Sequence, residues 1–227
     1  QVGMITLDNA SNCASMMEEL EFLFREHEIQ FNCEENRIRD VIGKARSLVT
    51  ACRASGQWRE DLQATIMEGN NSKSFPDEKQ LRNAELLHDM DVRWSATYLM
   101  IDRVLELYPA IDVLLNKVKY KDIHKHLLDD IELQVLHDIA EFLKVPHAVQ
   151  TTLCGEKTST LSAVLPTYED LLEMLRAYKV ICPQLRGAIS VCISKIEEYV
   201  NKSRKTRIYA LAMIINPITK LHWIEEH

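Results

Sequence analysis

Residues 91–118 read DVRWSATYLMIDRVLELYPAIDVLLNKV. Leu99, Ile101, Val104, Leu105, Ile111 and Leu114 recur at three- and four-residue spacing, which predicts one long helix with a buried side. Pro109 falls inside the pattern. It lacks an amide N–H and its ring crowds the preceding turn, so it is expected to kink the helix or end its first half.

The same pattern repeats on both sides of this stretch. Downstream, residues 129–154 place Leu133, Leu136, Ile139, Phe142 and Leu143 on one face, again with a proline, Pro146, inside. Residues 159–181 and 185–204 form two further amphipathic segments, consistent with an antiparallel helical pair. Upstream, Ile38, Val41, Ile42, Ala45, Leu48, Val49 and Cys52 make one stripe, expected to stop at Gly56. EGNNSKSFPDE at 68–78 reads as a loop, followed by a helical piece over 78–89. Residues 28–37 read as a polar break. Residues 12–27 predict another helix, with Met16, Leu20, Leu23 and Phe24 at helical spacing. VGMITL at 2–7 is the one convincing strand, and RIYALAMII at 207–215 suits either a helix or a short strand that could pair with it. The chain is therefore expected to be mainly α.

Composition agrees. The 227 residues suffice for one large or two small domains, with 46% hydrophobic and 27% charged residues and only six glycines and six prolines. The formal net charge of −7 gives no general attraction to nucleic acid, so any such contact needs a local basic patch. No apolar run approaches the roughly 20 residues that span a bilayer. Six cysteines lie far apart without a CxxC pair, which favours reduced, mostly buried thiols and an intracellular protein over a disulfide framework.

Four features bear on chemistry. Asp8 stands where the predicted strand hands over to a helix, in LDNASN; turn and capping chemistry explains an acid there, and so does a metal ligand. His124 and His126 are two residues apart, so on a helix they point to different sides and suit no shared ion. The basic runs NKVKYKDIHKH at 116–126 and NKSRKTR at 201–207 are either solvated helix ends or phosphate contacts. Trp94 is either a core anchor or a base-stacking platform.

Taken in order, ITLDNASN, DVRWSATYLMIDRVLELYPAI, LSAVLPTYEDLLEML and YALAMIINPITKLHWIEEH make the chain resemble the hAT superfamily of DNA transposases, with DNASN and RWSATYLM the most specific blocks. The resemblance implies an RNase H-like α/β core interrupted by a helical insertion. Residues 1–37 would be a partial core of strand and helix, 38–205 the insertion, and 206–227 a partial return to the core. It implies that Asp8 is the second of three catalytic acids, holding Mg²⁺ or Mn²⁺, and that Arg93 and Trp94 contact DNA at transposon ends. Two carboxylate-clamped divalent ions would activate water or a 3′ hydroxyl against the phosphodiester. The other two acids, the Cys-x-x-His pair, the BED-type zinc finger and the dimerisation segment of the family have no match here. The resemblance thus implies a fragment or remnant, nuclear and DNA-associated, inactive alone and binding no ion stably, with homo-oligomerisation resting on segments not matched. The alternative is a helical protein–protein interaction module that keeps the fold without DNA chemistry.

Overall fold

A computed structural model describes residues 33–89, 94–154 and 161–216. Asp8, Arg93, the 2–7 strand and the 12–27 helix lie outside the described residues. The described residues form eight α-helices joined by short 3₁₀ turns, without a strand. The chain is mainly α, as the periodicity predicts. It divides into two compact units, one of residues 31–140 and one of residues 1–30 with 141–227.

The first unit is built on α1 (Cys33–Arg53), α2 (Gly56–Ser72) and α3 (Trp94–Leu115), each in contact with the other two. Val41, Ala45, Leu48, Val49 and Cys52 give α1 its buried stripe, and Leu62 and Ile66 serve α2. On α3 the buried row is Met100, Ile101, Val104, Leu107, Ala110, Ile111, Leu114 and Leu115. This row extends on both sides of Pro109, and the helix runs through the proline instead of ending there. Leu99, expected on the buried side, is instead exposed, because the row centres on Met100, Ile101 and Val104.

Gly56 does not stop α1. It is the first residue of α2, and Ser55 caps that helix by accepting the Trp58 amide N–H at 3.2 Å. Nor is 68–78 all loop. Helix α2 continues through Gly69, Asn70, Asn71 and Ser72, although Asn, Ser and Gly are poor helix formers. Tertiary and local partners compensate. The Ser72 hydroxyl donates to the Glu68 carbonyl at 2.8 Å, and the buried Phe75 ring lies over Gly69. Lys73 then closes the helix in the left-handed region, φ 51°, with its N–H on the Gly69 carbonyl.

The predicted helical piece at 78–89 is also corrected. Apart from Glu78, which ends a 3₁₀ turn (Pro76–Glu78), these residues run as a strap outside any helix. Its main chain is held by side chains from three helices. Asn70 of α2 donates to the Leu81 carbonyl at 2.7 Å and accepts the Leu81 N–H at 2.9 Å. Arg103 of α3 donates to the Glu85 carbonyl at 2.8 Å, and Arg53 of α1 donates to the Leu86 carbonyl. Leu81 and Leu86 are buried. Backbone groups satisfied in this way have no need of a helical ladder, and Leu81 and Leu86, five residues apart, would leave a helix on different faces.

A short helix α4 (Lys121–His124) and the N-terminal part of α5 (Asp130–Leu153) complete this unit. Asp129 and Glu132 cap α5 reciprocally: Asp129 accepts the Glu132 N–H at 2.7 Å and Glu132 accepts the Asp129 N–H at 2.8 Å. Lys44 of α1 donates to both Glu132 oxygens, at 2.7 and 2.6 Å. Tyr108 donates its hydroxyl to the Leu128 carbonyl at 2.6 Å and accepts the Leu128 N–H at 2.9 Å. Burial is the main cause that pushes the Tyr108 phenol up to about 12.

In the second unit, α6 (Val164–Ile181) and α7 (Arg186–Arg204) form a hairpin about a 3₁₀ turn at Pro183–Leu185. Arg204 bonds Glu169 at 2.5 Å and Arg176 bonds Glu197 at 2.6 Å. From the first pair to the second the residue number falls on α7 and rises on α6, so the helices are antiparallel. Tyr168, Leu171, Leu172 and Leu175 of α6 and Ile189, Cys192, Ile196 and Val200 of α7 are buried. The 207–215 segment is a helix, α8 (Arg207–Ile215), and not a strand. It buries Tyr209 and Met213, four residues apart, and Asn216 beyond its end donates to the Ser162 hydroxyl at 2.6 Å. Pro146 lies within α5, which also continues through its proline.

Candidate nucleic-acid interface

Trp94 is the first residue of α3. The approach to that helix is anchored by Asp89, the last described residue of the strap, whose carboxylate is only 5% exposed. Its Oδ1 accepts the Thr97 hydroxyl at 2.9 Å and its Oδ2 accepts Nε of Arg46 on α1. Thr97 lies within the RWSATYLM block, one turn into the helix. Neither Asp89 nor Arg46 is legible as a functional residue in the sequence, because an acid eight residues before its hydroxyl partner fits no capping spacing. The one signal is the position of Thr97 beside the Arg93–Trp94 pair.

The basic run at 116–126 is largely engaged within the unit. Lys119 bonds Asp61 Oδ2 at 2.5 Å, and the Tyr120 hydroxyl donates to the same oxygen. Gln57 donates to Asp61 Oδ1 at 3.0 Å, and Lys117 donates to Thr65 at 3.2 Å. Trp58 meets Tyr120 edge to face, with ring centroids 6.3 Å apart. Two consecutive turns of α2 are thereby tied to the segment after α3. Lys121 and Lys125 are exposed and remain available to phosphate. In the 201–207 run, Lys202 bonds Glu198 at 2.6 Å and Arg204 bonds Glu169, while Lys205 and Arg207 are exposed.

The Lys119 ammonium, with the Tyr120 hydroxyl and the Gln57 amide, holds the Asp61 carboxyl well down, at about 2. A carboxyl whose folded pKa is depressed contributes stability above its ordinary value of about 4, and that contribution is lost as pH falls toward 2. Side-chain carboxyl NMR is expected to show Asp61 titrating below the other aspartates. Asp61→Asn should flatten the stability–pH curve between about pH 4 and 2. Because the pair is largely solvated, the change is expected to be modest.

His124 accepts or donates at 3.2 Å with Asn116, and His126 has its pKa lowered by burial and by the nearby Lys125 and Lys44 cations. Among the described residues no group of three His, Cys, Asp or Glu side chains comes together that could hold a metal ion. The described residues therefore do not supply the divalent-ion site that the transposase resemblance implies, and Asp8 lies outside them. Cys52, Cys182 and Cys192 are free and buried, and Cys154 is free and exposed. Burial pushes the Cys52 thiol up to about 11 and the Cys192 thiol up to about 12. Among the described residues no helix is long and apolar enough to cross a membrane.

No curated protein and no solved structure matches the chain. Residues 34–142 match the family model described as the ZBED1 RNase-like helical domain. That span holds α1, α2, the strap, α3, α4 and the N-terminal half of α5. Over just under half its length, this chain is similar to the ZBED1 RNase-like helical domain.

Proposed function

We propose that the chain is derived from a hAT-type cut-and-paste DNA transposase. In this reading residues 38–205 are its helical insertion, and 1–37 and 206–227 are parts of an RNase H-like core. The match of residues 34–142 to the ZBED1 RNase-like helical domain is the observation that carries the reading. The ordered motifs, above all RWSATYLM, support it. The role proposed is nuclear DNA association, with Arg93 and Trp94 contacting DNA at transposon ends. Trp94 would stack on an unpaired base while exposed lysines meet phosphate.

The test is a gel shift with a labelled DNA duplex carrying unpaired bases. Binding should weaken as salt rises, and Trp94→Ala should lower affinity about tenfold, the scale of one lost base–aromatic stack. Absence of binding at low salt would overturn the reading. Asp8 is the one residue matched to a catalytic acid, and a single carboxylate holds a divalent ion weakly. The polypeptide alone is therefore expected not to nick supercoiled plasmid in Mg²⁺ or Mn²⁺. Nicking abolished by Asp8→Asn would contradict this.

A second reading, a helical module working through protein partners, is favoured by one observation. Helix α8 is apolar on two sides: Tyr209 and Met213 are buried, while Leu211, Ile214 and Ile215 are 55%, 49% and 78% exposed. The net charge of −7 also favours it. The same gel shift separates the two readings.

A further inference from the structure

The strap ends differently from the way it begins. Along its course the bonds from α1, α2 and α3 fall on main-chain groups, at Leu81, Glu85 and Leu86. At Asp89 the tie is made by a side chain that is almost fully buried, and both carboxylate oxygens are used. One oxygen reaches Thr97 on the turn of α3 that also carries Trp94. The other reaches Arg46 on α1. A buried carboxylate is stable only with donors in place, so removing either donor leaves a strongly unfavourable group and the local geometry has to change. The tie also spans residues 89 to 97, closing the connection into α3 from outside the helix. The first turn of a helix has amide groups without intrahelical partners and is its least constrained part, so an outside anchor there decides where the first side chains stand.

We propose that Asp89 is the positioning residue for Trp94. Held by Arg46 and bonded to Thr97, it fixes the N-terminal turn of α3 relative to α1 and so sets the orientation in which Trp94 meets nucleic acid. Asp89 itself touches no DNA. The inference rests on the nucleic-acid reading of Trp94 given above, and its test separates the two.

The full chain carrying Trp58→Phe and Trp223→Phe leaves Trp94 as its sole tryptophan. In that background Thr97→Val, which keeps the shape and removes the hydroxyl, and Asp89→Asn are each expected to shift Trp94 emission and change its quenching by acrylamide. Circular dichroism should stay that of the parent. Affinity for the labelled duplex should fall about five- to tenfold, the scale of one lost charge-assisted hydrogen bond. Thr97→Ser, which retains the hydroxyl, should restore both readouts. Unchanged emission and quenching in both variants would overturn the proposal. So would changed emission with affinity intact, where Trp94→Ala does weaken binding. If emission changes and Trp94→Ala leaves affinity intact, the nucleic-acid reading fails while the placement of Trp94 by Asp89 stands.

Discussion

Gly69→Val is expected to lower the stability of the protein by about 3 kcal/mol, the upper part of the range for overpacking a closed site. A Cβ built at Gly69 would lie 2.2 Å from Cζ of Phe75 and 2.5 and 2.8 Å from its Cε atoms, distances that real side chains do not adopt. The ring has no easy way to yield. It is 4% exposed, and swinging it into water would give up roughly 2–3 kcal/mol of burial. Valine is a better helix former than glycine by only a few tenths of a kcal/mol, too little to offset the clash. Urea unfolding of the variant measures the loss. Phe75→Leu in the same chain should recover part of it, since a smaller side chain leaves room for the added Cβ. If Gly69→Val unfolds at the parent's midpoint, the ring does not lie against this helix.

Asn70→Ala is expected to release the strap and to cost about 2–4 kcal/mol, because it strips partners from a donor and an acceptor together. The Asn70 amide pairs with both main-chain groups of Leu81, a residue buried to 4% exposure, and so does for the strap what a neighbouring strand would do. Alanine fits the helix better than asparagine, so the loss cannot come from the helix itself. Hydrogen exchange at the Leu81 amide should accelerate well before global unfolding, and proteolysis should cut first within 79–89. The Asp89 tie to Thr97 is at the far end of the strap and is expected to survive. A variant that keeps a protected Leu81 amide would show that burial of Leu81 and Leu86, and not the Asn70 pair, holds the strap.

These two neighbouring residues show why part of the chain was not legible. Gly, Asn, Asn and Ser in succession carry a strong local preference for a turn, and on local physics alone 68–78 is a loop. Helix α2 continues through them because a buried ring requires the gap at Gly69 and a strap requires the amide of Asn70. Both demands come from residues that follow in the chain. The converse error at 79–89 has the same origin. Its leucines and charged residues favour a helix locally, and side chains of three helices satisfy its backbone in an extended form. At Gly56, a glycine after a helical stripe looks like a stop, and only the Ser55 hydroxyl on the Trp58 amide makes it a start.

The candidate interface divides along the same line. Trp94 and its RWSATYLM block stand out in the sequence because of the residue types and their resemblance to a family. The carboxylate that anchors the block does not, since nothing local links Asp89 to Arg46, 43 residues earlier. The basic runs were visible as charge, but their division into engaged and available cations depends on where Asp61, Glu169 and Glu198 lie in space.

The sequence by itself determined that this protein is helical, which faces of α1, α3 and α5–α7 are buried, and that α6 and α7 pair, because periodic burial is a local property repeated over many residues. Only the tertiary structure decided where α2 begins and ends, that the strap is not a helix, that 207–215 is one, and which acid holds the start of α3. Each of those outcomes turns on a single polar or steric contact between residues distant in the chain, and such a contact outweighs local preferences worth a few tenths of a kcal/mol per residue.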